Sequence, residues 1–138
     1  MGQPVDSAEY PLASDKVMVF KTDLLERITC VNHYLVEVSG YDQSELVGTG
    51  HRLLHHPDLP RGVLRDIEST QQAGLAWTGL LKCRRKDGRY FFVRATAEPL
   101  MEGDQLAGYL WLCSKPLPLP MAYPAAMSQR KYPLYLAA

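Results

Sequence analysis

The sequence lacks a charge imbalance, a long apolar run and a leader pattern. Fifteen basic and fifteen acidic residues give a formal net charge of zero, which removes the usual electrostatic argument for a nucleic-acid or anionic-membrane partner. The longest strongly apolar run, residues 106–113, is far shorter than the ~20 residues of a membrane span. The polar N-terminus has no signal-peptide pattern. We therefore expect a cytoplasmic protein with no membrane span in this chain.

Cysteine pairs and catalytic motifs are also missing. Cys30, Cys83 and Cys113 lie far apart and form no C-x-x-C pair, so a disulfide framework is not expected and each is interpreted as a small buried apolar side chain. The sequence contains no Walker A, G-x-S-x-G, H-E-x-x-H or G-x-G-x-x-G motif, the usual marks of phosphate-binding, hydrolytic or dinucleotide sites. We therefore predict that the chain is not an enzyme.

Length and composition predict one domain with two appendages. The chain has 138 residues, of which 46% are hydrophobic, enough for a core of ordinary size. Five of its ten prolines lie after Lys115, where they oppose both helix and sheet. We divide the chain into an N-terminal cap over 1–15, a domain over 16–115 and a Pro-rich tail over 116–138, whose apolar residues are expected to dock on the domain or on a partner.

Sequence patterns within the domain predict a mixed α+β order. The predicted elements are strands over 17–20 and 27–31, short helices capped by Asn32 and by Asp42, a longer helix between Asp58 and Gly74, and strands over 77–85, 89–99 and 106–113.

The Asp87-Gly88 pair predicts a two-residue hairpin turn. Such a turn places Cys83 opposite Phe92 and Gly79 opposite Thr96. One face of the sheet would then carry a mixed set of aromatic, small and polar groups suited to a small-molecule site: Trp77, Gly79, Leu81, Cys83, Phe92 and Thr96. The cations of residues 82–89 are expected to form a solvated hairpin tip, a partner-docking patch, or both.

This order of elements, with four short motifs, resembles the PAS (Per-Arnt-Sim) family of sensor domains over residues 16–115. The motifs are Ile28-Thr-Cys-Val-Asn32, Val38-Ser-Gly-Tyr41, Glu45-Leu-Val-Gly48 and Lys86-Asp-Gly-Arg89. The resemblance implies a five-stranded antiparallel sheet flanked by short helices that enclose a ligand pocket.

A narrower resemblance lies in His56-Pro-Asp-Leu-Pro60, followed by Trp77-Thr-Gly79. These strings are similar to the FAD-binding N-terminal PAS domain of bacterial aerotaxis receptors. The resemblance implies a chemotaxis signal-transduction module that binds FAD and reports redox state, as an oxygen or energy sensor. The matching pocket positions are Asn32, His55, His56, Asp58, Trp77, Cys83 and Thr96.

Three of these positions depart from that pattern. Those receptors usually have Arg at the position of His55 and Asn at the positions of Cys83 and Thr96. An Arg would face the FAD pyrophosphate as a cation at any working pH, whereas His55 carries a charge only near or below a pKa of about 6.5. Flavin–thiol photochemistry of the light-oxygen-voltage (LOV) type needs an Asn-Cys-Arg string, and this sequence has none.

Other ligands are weighed beside FAD. Some PAS domains hold haem b, for which His55 or His56 would be the axial ligand and Trp111 a donor to a bound gas. Zinc at His51 and His55 is disfavoured because prolines interrupt the helix and no Cys or Glu completes a ligand set.

A cofactor-free interaction or dimerisation module is a further alternative. As a sensor, the domain is expected to signal through a separate partner protein or a further signalling domain. The family resemblance implies a homodimer formed through the N-terminal cap.

Overall fold

A five-stranded antiparallel sheet with helices on one face makes up residues 8–117, the part of the chain that the computed structural model describes. The sheet order is β2-β1-β5-β4-β3, which confirms the predicted α+β fold. The elements are β1 (Val17–Asp23), β2 (Ile28–Val31), α1 (His33–Ser39), α2 (Gln43–Leu46), a 3₁₀ helix (His51–Leu54), α3 (Arg61–Gln72), β3 (Trp77–Arg84), β4 (Tyr90–Glu102) and β5 (Gln105–Ser114).

Asn32 starts α1 as predicted and also ties this helix to the sheet. Its Oδ1 accepts hydrogen bonds from the backbone N–H of Leu35 at 3.1 Å and of Val19 at 3.0 Å. Its Nδ2 donates to the Val17 carbonyl oxygen at 2.9 Å. Because one amide side chain caps the helix and also bonds to β1, the start of α1 is tied to β1.

The turn between β3 and β4 is longer than predicted. Arg85 N donates to Arg89 O at 2.8 Å, which leaves a three-residue loop, and Gly88 occupies its left-handed position with φ 94°. A three-residue loop with a left-handed glycine is a common alternative to the two-residue turn. Asp87-Gly88 therefore marks the turn correctly, but it does not fix the length of the turn.

This turn shifts the register by one residue. Cys83 lies opposite Phe91, and Thr96 lies opposite Thr78. The predicted pairing of Cys83 with Phe92 is wrong, as is that of Gly79 with Thr96. Since side chains alternate between faces along a strand, one residue of shift moves both Phe92 and Thr96 to the face away from the helices.

Close packing between β1 and β5 depends on Gly108. A Cβ atom at this position would lie 2.0 Å from the Thr22 carbonyl oxygen, well inside van der Waals contact. Glycine therefore allows β5 to run beside β1 at this point.

The core lies between the helices and the inner face of the sheet. Cys83 and Cys113 are buried there as predicted, but Cys30 is exposed on the edge strand β2. The prediction that Cys30 is buried is wrong because Cys30 lies opposite the exposed Lys21 of β1, on the face of the sheet away from the helices. Within residues 8–117, the structure contains no helix with the length and apolar character needed to cross a bilayer.

The basic hairpin tip binds to its own domain. Arg85 Nε donates to the Val38 carbonyl oxygen at 2.7 Å, and Lys86 Nζ contacts Glu45 Oε2 at 2.7 Å. Much of the predicted patch is therefore occupied by α1 and α2.

The described part of the N-terminal cap also packs on the domain. Tyr10 N donates to Tyr90 O at 2.7 Å, and Ala13 N donates to Tyr34 Oη at 2.8 Å. Residues 1–7 and the tail from 118 to 138 lie outside the described residues, so docking of the tail and dimerisation through the cap stay predictions.

Candidate functional site

A small cavity lies between the sheet and the helical side of the domain. Its volume is about 20 Å³, roughly that of one water molecule. The sheet contributes the larger part of the wall: Met18, Phe20, Leu81, Cys83, Phe91, Val93, Trp111 and Cys113. The helical side contributes Leu35 from α1, His51 and Leu54 from the 3₁₀ helix, and His55 directly after it.

Three nitrogen atoms in these cavity residues are buried without a hydrogen-bond partner among the described residues. They are Nδ1 of His51, Nδ1 of His55 and Nε1 of Trp111. The His51 and Trp111 side chains are 3% and 1% exposed, and their ring centroids are 5.0 Å apart. A buried polar atom without a partner costs about 1–3 kcal/mol, so a ligand or ordered water that reached these three atoms would stabilise the domain.

Both cavity histidines are neutral at pH 7. Burial lowers the pKa of His51 to about 3, with further effects from His55 and Arg52. Burial also lowers the pKa of His55 to about 4, helped by the charge of Arg52. Each imidazole therefore has one donor and one acceptor nitrogen, and His55 does not replace the expected arginine as a cation at neutral pH.

The two cavity cysteines are protonated and apolar in character. Burial raises the pKa of Cys83 well above its ordinary value, and Cys113 raises it further. Burial alone raises the pKa of Cys113 to about 12. Since the thiolate is the reactive form, these side chains serve as cavity wall and not as nucleophiles.

Trp77 packs beside the cavity and is not one of its lining residues. It is 1% exposed, and its Nε1 donates to Asp66 Oδ2 at 2.9 Å. This hydrogen bond joins α3 to β3. Trp77 therefore fixes the position of the long helix on the sheet.

His56 and Asp58 face a different direction from His55. His56 Nδ1 accepts a hydrogen bond from Asp58 N at 3.0 Å, and His56 N donates to Lys82 O at 3.0 Å. The exposed Asp58 carboxylate lies 3.3 Å from Lys82 Nζ. Burial lowers the pKa of His56 as well. These residues hold the chain after the 3₁₀ helix against β3, outside the cavity.

Of the seven predicted pocket residues, the structure brings His55 and Cys83 to the cavity. Asn32 is used in the α1 cap, and Thr96 lies on the opposite face of the sheet, in a groove of about 220 Å³ with Arg94 and Glu98. Within residues 8–117 the structure has no cluster of three metal-ligating side chains.

Sequence reasoning missed His51 and Trp111 as cavity partners. From the sequence, His51 is a disfavoured zinc ligand and Trp111 a donor to a haem-bound gas. Alternation along β5 was the available signal for Trp111, because Trp111 and Cys113 share one face of that strand. For His51, the signal was its place in the cluster of three histidines.

Comparisons with known proteins agree with this architecture. The family model described as "PAS fold" matches residues 28–111. The Aerotaxis receptor of Escherichia coli (strain K12) is 40% identical over 106 residues, which are 77% of this chain and 21% of that receptor. This chain therefore spans about a fifth of that relative.

Two solved structures have the same fold. The light state of the blue-light photoreceptor Aureochrome1 LOV superposes with a TM-score of 0.68 at 19% identity, over 72% of this chain and 81% of that one. The PAS domain of a protein from Colwellia psychrerythraea superposes with a TM-score of 0.64 at 22% identity, over 72% and 86%. The family match covers most of the described domain, and this chain belongs to the PAS fold family.

Proposed function

We propose that this chain is a sensory PAS domain that binds a flavin, with FAD as the expected form, and reports redox state to a signalling partner. The observation that carries the proposal is the set of unpartnered nitrogen atoms on His51, His55 and Trp111 around an aromatic and aliphatic cavity. A flavin ring has two apolar faces and a polar edge, which matches that combination. The relative that is an aerotaxis receptor supports the same assignment.

The chemistry of the cavity residues fits a flavin, but the present volume does not. Pockets for small molecules measure roughly 300–1,000 Å³, whereas this cavity measures about 20 Å³. Binding therefore requires the helical wall to move away from the sheet. In the opened site, Phe20 and Phe91 would contact the ring faces, and the three nitrogen atoms would bond to its polar edge.

A bound flavin would supply reversible electron transfer. The residues around it would respond through their hydrogen bonds. A neutral imidazole can donate through one nitrogen and accept through the other, so His51 and His55 can exchange these roles when the ligand edge gains or loses a proton. A shift of the 3₁₀ helix relative to the sheet is the change that we propose a partner detects.

Two other functions each have one observation in their favour. The neutral His55 side chain at the cavity is in the form that ligates iron, which favours haem b. The small residual volume favours a cofactor-free interaction module, because the core side chains already fill most of the space.

The visible absorption spectrum of the purified full chain separates these three functions. Bands near 450 nm that persist after incubation with FAD and desalting would support the flavin proposal, and a Soret band would identify haem. A colourless protein after incubation with both cofactors would overturn the sensor proposal and support an interaction module.

Two variants and one control test the site. Trp111→Phe and His51→Phe remove an unpartnered nitrogen but keep a ring, and each is expected to weaken FAD binding roughly tenfold, the effect of one lost hydrogen bond. Thr96→Val changes the opposite face of the sheet and should leave FAD binding unchanged. Equal FAD retention in all three variants, with circular dichroism spectra like that of the parent, would contradict the site assignment.

The setting of the sensor is part of the same proposal. We place the domain in the cytoplasm, and we propose homodimerisation through the N-terminal cap, signalling to a partner protein or a further signalling domain. Size-exclusion chromatography with light scattering, on the full chain and on a chain lacking residues 1–15, tests the dimer. Equal masses per particle for the two chains would contradict it.

A further inference from the structure

We propose that residues 50–56, termed the wall segment, form a hinged cover over the cavity, and that the exposed side chain of Arg52 holds this cover closed. The wall segment supplies three cavity-lining residues, His51, Leu54 and His55. Among all the lining residues, His55 is the one that is not fully buried. Among the lining residues, His55 is therefore the one in contact with solvent.

Arg52 connects the wall segment to two other elements. Its Nη2 atom lies 2.5 Å from Glu68 Oε2 on α3, and its Nε atom lies 3.6 Å from Glu26 Oε1 in the turn between β1 and β2. The arginine side chain is 53% exposed. Since exposed ion pairs are weak and sensitive to salt, this bridge can hold a cover closed and still release it.

Backbone hydrogen bonds attach the wall segment mainly at its two ends. His51 N donates to Glu26 O at 3.0 Å, and His56 N donates to Lys82 O at 3.0 Å. Between them, His55 N donates to Arg52 O at 3.0 Å, a bond inside the segment that moves with it. The segment can therefore swing as a unit once an end attachment and the Arg52 bridge are broken.

The size of the cavity explains why such a movement would be needed. The cavity measures about 20 Å³, so a ligand larger than water needs part of the wall to move, and the wall segment is the part that we propose moves. The ligand in this inference rests on the proposed flavin function. The opening itself does not, and it can be measured on the chain without a ligand.

The buried thiols allow that measurement. Cys83 forms an isolated backbone bridge with His55, directly under the wall segment, and Cys113 lines the same cavity. Opening of the wall segment therefore exposes the cavity thiols, Cys83 first, without unfolding of the sheet, and labelling by this route is faster than global unfolding allows. Cys30 is exposed at all times and serves as an internal standard.

The experiment compares iodoacetamide labelling rates of the three cysteines by peptide mass spectrometry. Arg52→Gln is expected to raise the Cys83 rate roughly two- to fivefold, as loss of exposed ion pairs predicts, and to leave Cys30 unchanged. Added sodium chloride should raise the Cys83 rate of the parent chain but not of Arg52→Gln. Arg65→Gln is the control, because it removes the same charge from α3 at a residue with no ion pair within residues 8–117.

Two labelling outcomes would overturn the proposal. One is a Cys83 rate that is equal in Arg52→Gln and Arg65→Gln. The other is parallel labelling of Cys83 and Cys113 at the rate of global unfolding, because the wall segment would then not open by itself.

The FAD association rate adds an independent arm. Arg52→Gln should raise it by the same factor as the Cys83 labelling rate, whereas Arg65→Gln should not, and an unchanged FAD rate in Arg52→Gln would contradict the wall segment as the access route. If FAD does not bind but the thiol result holds, the flavin proposal fails and the hinged cover stands.

Discussion

Acid should destabilise this domain well before its carboxyl groups titrate. His51 and His55 are the cause, because the native chain holds both rings neutral in a buried cavity. When the pH falls from 7 to 5, each histidine of the unfolded chain becomes protonated, since its pKa there is about 6.5. The native side chains stay neutral, because their pKa values are about 3 and about 4.

The sign follows from the proton count. Between pH 7 and pH 5 the unfolded state binds more protons than the native state, so the free energy of unfolding falls as the pH falls. Each histidine contributes a loss of about 2 kcal/mol over this interval, and the pair about 4 kcal/mol. His56, whose pKa burial also lowers, acts in the same direction. Against a total stability of about 5–15 kcal/mol, the loss is large.

Urea titrations at pH 7 and pH 5 measure this difference. Intrinsic fluorescence is a suitable signal because Trp77 and Trp111 are each 1% exposed in the native chain. Stopping at pH 5 keeps most carboxyl groups ionised in both states. The expected result is a lower urea midpoint at pH 5 with an unchanged denaturant slope.

Glutamine variants assign the effect. His51→Gln and His55→Gln cannot gain a proton, so each should lose about half of the pair's contribution. His33→Gln changes an exposed histidine on α1 and should keep the full difference. Equal unfolding free energies of the parent chain at pH 7 and pH 5 would show that the buried rings accept protons in the native state, and that the reasoning from burial is wrong.

Two further predictions concern packing. Gly108→Ala should cost at least about 3 kcal/mol of unfolding free energy, because the new Cβ would overlap the Thr22 carbonyl. The control Gly62→Ala has open space on α3 and should stabilise the chain by up to about 1 kcal/mol. Urea titration measures both variants, and equal stabilities would contradict the close approach of β1 and β5. Trp77→Phe should lower the unfolding free energy by about 2 kcal/mol through the lost hydrogen bond to Asp66, again measured by urea titration. A stability equal to that of the parent would show that this bond does not hold α3 on the sheet.

Much of the fold follows from local signals in the sequence. Asn32 is a strong helix cap, and Gly74 takes the left-handed position just after α3 that the sequence predicts. Such signals act over a few residues and survive in the folded chain. The element order, and from it the family, could therefore be predicted.

The candidate site was harder because it depends on distances between elements. Asp87-Gly88 fits two turn lengths, and a choice between them decides which face Thr96 occupies. Trp77 has the size expected of a pocket wall, but its indole nitrogen donates a hydrogen bond to Asp66 on α3. No local sequence pattern predicts this contact. His55 and Cys83 reach the cavity because the chain after the 3₁₀ helix pairs with β3.

The three-residue loop before Arg89 has a consequence for how this architecture could diversify. With one residue fewer in the loop, β4 would present Phe92, Arg94 and Thr96 to the helices in place of Phe91, Val93 and Ala95. Deleting one loop residue would thus replace an apolar inner face of β4 with one that carries a charge and a hydroxyl group, while the sequences of both strands stay the same. Loop length at this hairpin therefore decides which side chains of β4 face the helices.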